Sequence, residues 1–412
     1  MILNLTHKMI DNKSVFLFLF TLYSPYLKCQ IDPLGKAMDF RVITTAVPFL
    51  SINTSAQAMG SGCVGVVASD LYMQNGLDQN PALLSRGKKV LGFQAINVVP
   101  WLRGLGVNDV FLAETGCHYS LNNNNAVGFS AKHFNLGAIQ MTDQAGQAYR
   151  SLNPNEFAIG LKYAHNFSAG FSIGGGIKYV YSDLLGNGAS GTGHAKVGQA
   201  LAGDFGFDFR RNLVQTDDFL LRWNAGLSFL NLGNKISYTD DHRDDFIPQA
   251  MKIGSLFTVR NKLLNQDFIE FDFSYQADKL LVPTPSTSGP IFGWMNQNIS
   301  PLQGAVQSFY DAPGGMEEEM REIIHQFGTE SRLILADNRI IIALRGGYFY
   351  EHATKGNRKF STLGCGLGIC GFRFDFAYWI PDQANHPLEK TYAINFGGRF
   401  NLDKDNFFRF IE

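Results

Sequence analysis

The chain has 412 residues, a formal net charge of -1 and only 17% charged residues, so no global basic field argues for a nucleic-acid partner. Phe (35) and Gly (43) are abundant without periodicity, which excludes collagen-like and low-complexity classes. No stretch reaches the roughly 18 apolar residues of a membrane-spanning helix.

In chain order, the first element is a secretory signal peptide over 1–29. Lys8 and Lys13 precede the apolar run Val15–Leu22, the charged-then-apolar order of an export signal. Cleavage is expected between Cys29 and Gln30; Lys28 makes a poor lipobox, so lipidation of Cys29 is disfavoured. Residues 30–89 precede the first clear strand. They carry Thr44–Leu50, the glycine-rich Ser55–Asp70 and "NPALL" from Asn80 to Leu84. Such a stretch fits a small hatch in a barrel interior or mouth, with Asn80, Pro81 and Ala82 as the candidate hatch element. The four cysteines after the signal (63, 117, 365 and 370) show no metal-ligand spacing, and no disulfide framework is expected.

From Val90 onward apolar and polar residues alternate with period two. In Val110–Ser120, Phe111, Ala113, Thr115, Cys117 and Tyr119 share one face, and Glu114, Gly116 and His118 the other. In Phe171–Ser182, aromatic and branched residues oppose Ser172, Gly174, Gly176 and Lys178. Strands are expected near 90–98, 109–120, 126–135, 156–166, 170–183, 200–210, 219–231, 250–259, 267–277, 328–336, 339–350, 359–369, 372–380 and 391–400. Many reach the ~9–11 residues that cross a bilayer at a tilt, longer than ordinary soluble strands. Their connections alternate short and long. The fold class read here is therefore an all-β membrane protein, an antiparallel outer-membrane β-barrel of about fourteen strands over 90–400, with 401–412 as a periplasmic tail. Lys178, Glu270, Asp272 and Arg345 are candidate lumen charges, which satisfy one another in the barrel interior.

One insertion breaks the alternation, in the longest extracellular loop (278–327). Ser300-Pro301-Leu302-Gln303 has the form of a capping box with proline at the first helical position; Leu302, Ala305, Val306 and Phe309 form an apolar stripe after it. Met316, Met320, Ile323, Ile324 and Phe327 form a second stripe at helical spacing, with acidic residues elsewhere and Gly328 as the helix stop. A helical hairpin is expected there.

"GLGICG" (366–371) matches a dinucleotide fingerprint, but a strand follows it where that site needs a helix. No HExxH, GxSxG or Walker loop is present, and the nine histidines show no ligand-like cluster. The sequence offers no catalytic, metal or cofactor site.

A set of colinear segments carries a more specific signal: "TTAVPFL", "SAQAMGSGCVGVVASD", "NPA", "PWLRGLGVNDVFLAETG", "LNPNEFAIGLKYAH", "KYVYSDLLG", "DAPGG…EEMREI", "GYFYEHATKGNRKF" and "NHPL". Together, over about residues 40–400, they resemble the PorV (LptO) family of the type IX secretion system of Bacteroidota, and "NPA" resembles the wider FadL-like group of fourteen-stranded barrels with N-terminal hatches. Two segments depart from the family pattern: "SAQAMGSG" lacks its arginine and double glycine, and "NGLDQ" replaces a more aromatic lead into "NPA".

The resemblance implies an integral protein of the bacterial outer membrane, in contact with its lipid, and a non-enzymatic role without cofactor. Such a protein binds a SprA/Sov-type translocon barrel, receives cargo with a C-terminal type IX signal domain and delivers it to a PorU-type attachment complex. The insertion resembles the family's surface loop, which makes Asp311, Pro313, Gly314, Gly315, Met316, Met320, Ile324 and Phe327 candidate docking residues; a lid folded onto neighbouring loops is the plainer reading of the same helices. The alternative function is a FadL-like transporter of hydrophobic small molecules, against which the polar lumen phase (Glu114, Lys178, Asp204, Asp208, Arg222, Glu270) argues. A diffusion porin conflicts with the hatch candidate.

Overall fold

The computed structural model describes residues 41–401 except 70–74, 76, 87–89, 169, 187–195, 240–243, 264–266 and 286–298. The expected signal peptide, the start of the hatch region and the tail after 401 lie outside the described residues.

Fourteen antiparallel strands close into one barrel. They are β1 (Val90–Pro100), β2 (Phe111–Ser120), β3 (Asn125–Asn135), β4 (Asn155–Ser168), β5 (Phe171–Asp183), β6 (Gly198–Gln215), β7 (Phe219–Gly233), β8 (Ala250–Lys262), β9 (Phe268–Leu280), β10 (Ile324–Leu335), β11 (Ile340–Tyr350), β12 (Lys359–Ile369), β13 (Phe372–Pro381) and β14 (Tyr392–Asn401). Each pairs with its sequence neighbour, and β1 closes on β14 with Val90 opposite Asn401. Closure removes the unpaired edges that an open sheet would expose to lipid.

The alternation sorts side chains as the period demands. Ile177, Leu201, Leu344 and Leu363 point outward and are exposed, whereas Glu114, Lys178, Asp204 and Glu270 point inward and are buried. Near one rim, Tyr275 packs on His325 and Phe327, an outward aromatic cluster of the kind that sits at a membrane interface.

Turn chemistry fixes the opposite rim. Asp337 and Asn338 take φ of 57° and 61°, and Cys370-Gly371 take 49° and 90°; positive φ at both central residues suits a tight hairpin to the strand twist. Asn122 Oδ1 accepts from the N–H groups of Asn124 and Asn125, both at 2.9 Å. The strand ends that flank the connections 101–110, 136–154, 184–197, 234–249, 281–323, 351–358 and 382–391 all lie at the other, long-loop rim. The first of these long connections holds a one-turn 3-10 helix, Arg103–Leu105.

The helical insertion is smaller than its sequence pattern predicts. It holds α2 (Pro301–Gln307) and α3 (Met316–Arg321), following α1 (Ala56–Gly60) near the N-terminus. The stripe from Met316 to Phe327 is not one helix. Ile324 already begins β10, Phe327 faces outward in it, and Gly328 is an inward strand residue rather than a helix stop. Register explains the difference: Ile324–Gly328 pair residue by residue with Ser274–Asp278 of β9, and the ladder bonds outweigh the short-range helical pattern.

Candidate functional site: a filled lumen and a clasped rim

The described residues of 44–86 line the inside of the barrel, buried against its wall. At the long-loop rim the Arg41 N–H donates to the Thr354 carbonyl (3.2 Å) and that of Ala46 to the Phe246 carbonyl (2.9 Å). The segment ends at the short-turn rim, where Val90 opens β1. On the way its described residues form little regular structure, namely short turns such as Pro48–Ser51, α1 and Pro81–Ser85, so many of its backbone groups need partners from elsewhere.

The wall supplies them. Gln276 Oε1 accepts from the N–H groups of Gly65 and Val66 at 2.8 and 2.9 Å. Thr362 accepts from the Gly62 N–H and donates to the Gly60 carbonyl, both at 2.9 Å. Asn395 Oδ1 accepts from Ala56 N–H at 2.7 Å, and Asn224 donates to the Ala68 carbonyl at 3.1 Å. Charges add to this: Lys132 holds Asp78 at 2.9 Å, Arg86 of the plug pairs with Asp208, and Thr54 bonds Glu114. The polar lumen thus substitutes for the secondary structure that the plug lacks.

Asn80, Pro81 and Ala82 sit at the plug's lower turn. Asn80 Oδ1 caps it by accepting from Ala82 N–H (3.1 Å), and its amide donates to the carbonyls of Val66 (2.8 Å) and Phe207 (3.0 Å). Pro81 presses on Gly174: a Cβ there would lie 2.4 Å from the Pro81 carbonyl carbon. Gly174 thus serves close packing of the plug. Gly366 of "GLGICG" also permits close packing, here within the wall, since a Cβ on it would strike Asp375 and Arg345.

The four predicted lumen charges are buried, in three groups. Lys178 bonds Asn231 Oδ1 (2.7 Å) and pairs with Asp204 (3.1 Å). Glu270 and Asp272 converge on Arg332, at 2.6 and 2.7 Å, and Arg332 also reaches Ser69 of the plug at 3.0 Å. Arg345 pairs with Asp375 at 2.8 Å. Each carboxylate has a cation, a network that holds wall and plug together. Among the described residues no cluster of His, Cys, Asp and Glu could hold a metal ion. Arg332, the hub, was not among the residues singled out from sequence. Its inward phase opposite Glu270 was the available signal.

At the long-loop rim the insertion reverses the expected polarity. Ser300 caps α2, accepting from Gln303 N–H at 3.2 Å. Glu318 and Glu319 of α3 and Glu322 at its C-cap point inward, while Glu317 stays exposed beside Arg321: Lys355 bonds Glu318 (2.7 Å) and Glu322 (2.8 Å), Lys279 bonds Glu319 (3.0 Å) and Glu322 (2.7 Å), and Arg41 bonds Glu318 (2.6 Å). Burial alone would raise the Glu318 pKa, but the hydrogen bonds from Lys355 and the Gly314 N–H, with the charges of Lys355 and Arg41, outweigh it and hold the carboxyl below its ordinary value. At Asp311 burial prevails and raises the carboxyl, although Thr284 donates to it.

The apolar residues point out: Leu302 is 73% exposed, Met316 71%, Met320 56% and Val306 58%. Pro313, Gly314 and Gly315 are exposed in the bend before α3, with Gly315 at φ 68°. Of the candidate docking residues, Asp311, Pro313, Gly314, Gly315, Met316 and Met320 therefore share this bend and helix, whereas Ile324 and Phe327 belong to the barrel wall.

Comparison with known proteins follows the fold. A structure of the Ralstonia pickettii toluene transporter TbuX aligns with a TM-score of 0.41 at 13% identity, covering 83% of this chain and 97% of that one. A Pseudomonas aeruginosa FadL homologue aligns at 0.38 and 10% identity, covering 88% and 99%. These neighbours are FadL-like outer-membrane barrels. No curated protein matches. The family model "Type IX secretion system protein PorV" matches residues 35–287, more than half of the chain. With its closed fourteen-stranded barrel and apolar outer belt, this chain is an integral outer-membrane protein belonging to the PorV family of the type IX secretion system.

Proposed function

We propose that this protein is the outer-membrane docking partner of a type IX translocon. In this reading the long-loop rim faces outward, and the insertion docks a SprA/Sov-type translocon barrel. The protein then receives cargo carrying a C-terminal signal domain and hands it to a PorU-type attachment complex. The observation that carries the reading is the reversed insertion: Glu318, Glu319 and Glu322 are clasped inward by Lys279, Lys355 and Arg41, and Leu302, Val306, Met316 and Met320 are left on the outside. An apolar helix face held outward by ionic bonds, away from the lipid belt, suits a protein partner. The plug supports the same reading, because a lumen filled by its own chain is poorly suited to conduct.

The test is a native pull-down from solubilised outer membranes of the source organism, with mass spectrometry of what accompanies the wild type and the Met316→Glu/Met320→Glu variant. Recovery of a giant barrel or of cargo with intact signal domains, lost in the variant, is the expected result. An isolated barrel carrying an apolar ligand would move the assignment to a FadL-like transporter of hydrophobic small molecules, the reading favoured by the aromatic upper lumen (Phe349, Phe360 and Trp379). A steady open conductance would sink both.

A further inference from the structure

The insertion meets the plug at the plug's start. Arg41 is held there twice over: its guanidinium pairs with Glu318 of α3 at 2.6 Å, and its N–H donates to the Thr354 carbonyl at 3.2 Å, next to the Lys355 that also holds Glu318. Ile43 packs on the cluster of Phe246, Val282 and Ile299. α2 rests on the same ring, since a Cβ on Gly304 would lie 2.7 Å from Phe246. The Ala46 N–H then donates to the Phe246 carbonyl at 2.9 Å. Both helices of the insertion are thus tied to residues 41–46, α3 by charge and α2 through Phe246.

Past that point the backbone is strained. Among the described residues of the plug two that are not glycine take left-handed backbone, Val47 at φ 46° and Cys63 at 71°. For a β-branched residue such as Val47 this is a genuine outlier, and Pro48 after it restricts it further. Both are buried in one apolar cluster. Strain of this kind persists where the surroundings enforce it, and it collects at switch regions. A cavity of about 120 Å³ adjoins this stretch, with Leu50, Ser51 and Cys63 of the plug on one side and Trp379 and Gln326 of the wall on the other. The turn over Pro48–Ser51 therefore has space to move into.

An anchor at the rim, a strained bend behind it and space beside the bend make a latch. α3 carries the anchor and its exposed face on one short helix, with Glu318 inward and Met316 and Met320 outward. Whatever lifts α3 by its outer face withdraws Glu318 from Arg41. The coupling is reciprocal, because loosening the strap must loosen the insertion by the same free energy.

We infer that residues 41–47 are a latch through which the insertion controls the plug. With α3 seated, Glu318 holds Arg41 and Val47 stays in its left-handed bend. With α3 lifted, the strap leaves the rim, Val47 relaxes, and the turn over Pro48–Ser51 unpacks and uncovers Cys63. The trigger, a partner covering Met316 and Met320, rests on the docking reading above; the latch itself is a property of the isolated chain, so the two can fail separately.

The experiment uses the full-length barrel in nanodiscs, without any partner, and with Cys63 as its one thiol, the other native cysteines being serine. Maleimide labelling of Cys63 reports the plug, and proteolysis within 301–323 reports the insertion. Arg41→Met and Glu318→Gln break the same pair from its two ends. Each should speed labelling about tenfold, as loss of one charge-assisted hydrogen bond does, and each should also speed proteolysis. The double variant should label no faster than Glu318→Gln alone, because the two residues act as one unit. Arg321→Met removes the exposed pair with Glu317 on the same helix and should change neither rate. Heat-modifiable migration shows the barrels folded. Labelling that ignores both substitutions, effects that add in the double variant, or proteolysis that speeds while labelling does not overturns the latch. A latch that passes while the pull-down recovers no partner stands without the docking reading; recovery of a partner with labelling unmoved removes the latch and leaves the docking.

Discussion

The lumen and the rim insertion use the same materials to opposite effect. In both, carboxylates and cations are buried against one another: Glu270 and Asp272 on Arg332 inside the barrel, Glu318 and Glu322 on Lys355 at the rim. Inside, the apolar residues of the inserted segment are buried too, since Phe49, Met59, Leu83 and Leu84 are nearly inaccessible. At the rim they are not. A segment that hides both its polar and its apolar groups is complete within the chain; one that hides its acids and presents its methionines has a face left over. On that difference, and on no motif, rests the proposal that the insertion serves recognition while the plug serves structure.

The sharpest way to break this comparison is at the lumen hub. Arg332→Met should destabilise the barrel by about 3–5 kcal/mol, because it leaves Glu270 and Asp272 buried without their main cation and frees Ser69 of the plug. Urea unfolding followed by heat-modifiable migration measures it. A loss below about 1 kcal/mol would mean that the lumen network contributes little to holding the plug.

The rim clasp should fail locally. Lys355→Met removes the cation shared by Glu318 and Glu322. The expected outcome is rapid proteolysis within 301–323, with barrel unfolding moved by less than in Arg332→Met, since the fourteen-strand ladder does not pass through the insertion. Unchanged proteolysis would show that packing, and not the ion pairs, holds α3 in place.

Acid should do reversibly what that substitution does permanently. The Glu318 carboxyl titrates below its ordinary value in the fold, so its stabilising contribution is complete above the usual carboxylate range near about 4.3 and is lost as pH falls through the lowered folded value. Asp311 is shifted upward, so its share runs the other way and is gained as pH falls. A spin label at Gln303→Cys, in a chain whose native cysteines are serine, should gain mobility as pH falls below the ordinary carboxylate range. Glu318→Gln should flatten that transition. Mobility that rises instead toward neutral pH would place Asp311 in control.

The sequence shows the barrel because a period of two is a local property. Each strand announces its faces, and the Asp337-Asn338 and Cys370-Gly371 turns keep the count even. It also shows which residues face the lumen, Lys178 and Arg345 among them. What it does not show is long-range competition. Met316–Phe327 satisfy a helical period, and only the ladder between Ile324–Gly328 and β9 reveals that the second half is wall. The inward turn of Glu318, Glu319 and Glu322 depends on Lys279 and Lys355, 43 and 33 residues from Glu322, a pairing with no local signature. Trp379 and Gln326 likewise come to one cavity from different strands.

The smallest effect on the barrel is the most informative about the rim. Met316 and Met320 are 71% and 56% exposed, so Met316→Glu and Met320→Glu remove little buried area and should shift stability by no more than about 0.5 kcal/mol each. Neither residue is among those that bond Lys279, Lys355 or Arg41, so the clasp is expected to persist and proteolysis of the insertion to stay slow. If the face is a docking surface, a partner that covers it must desolvate the introduced carboxylates, and association should fall by tenfold or more. Ile324→Ser and Phe327→Ser supply the contrast. They lie in β10, Phe327 on the outer belt and Ile324 beside the cavity, and should cost barrel stability while leaving the docking face unaltered. Equal partner binding by the glutamate variants and the wild type would return the insertion to the role of a lid.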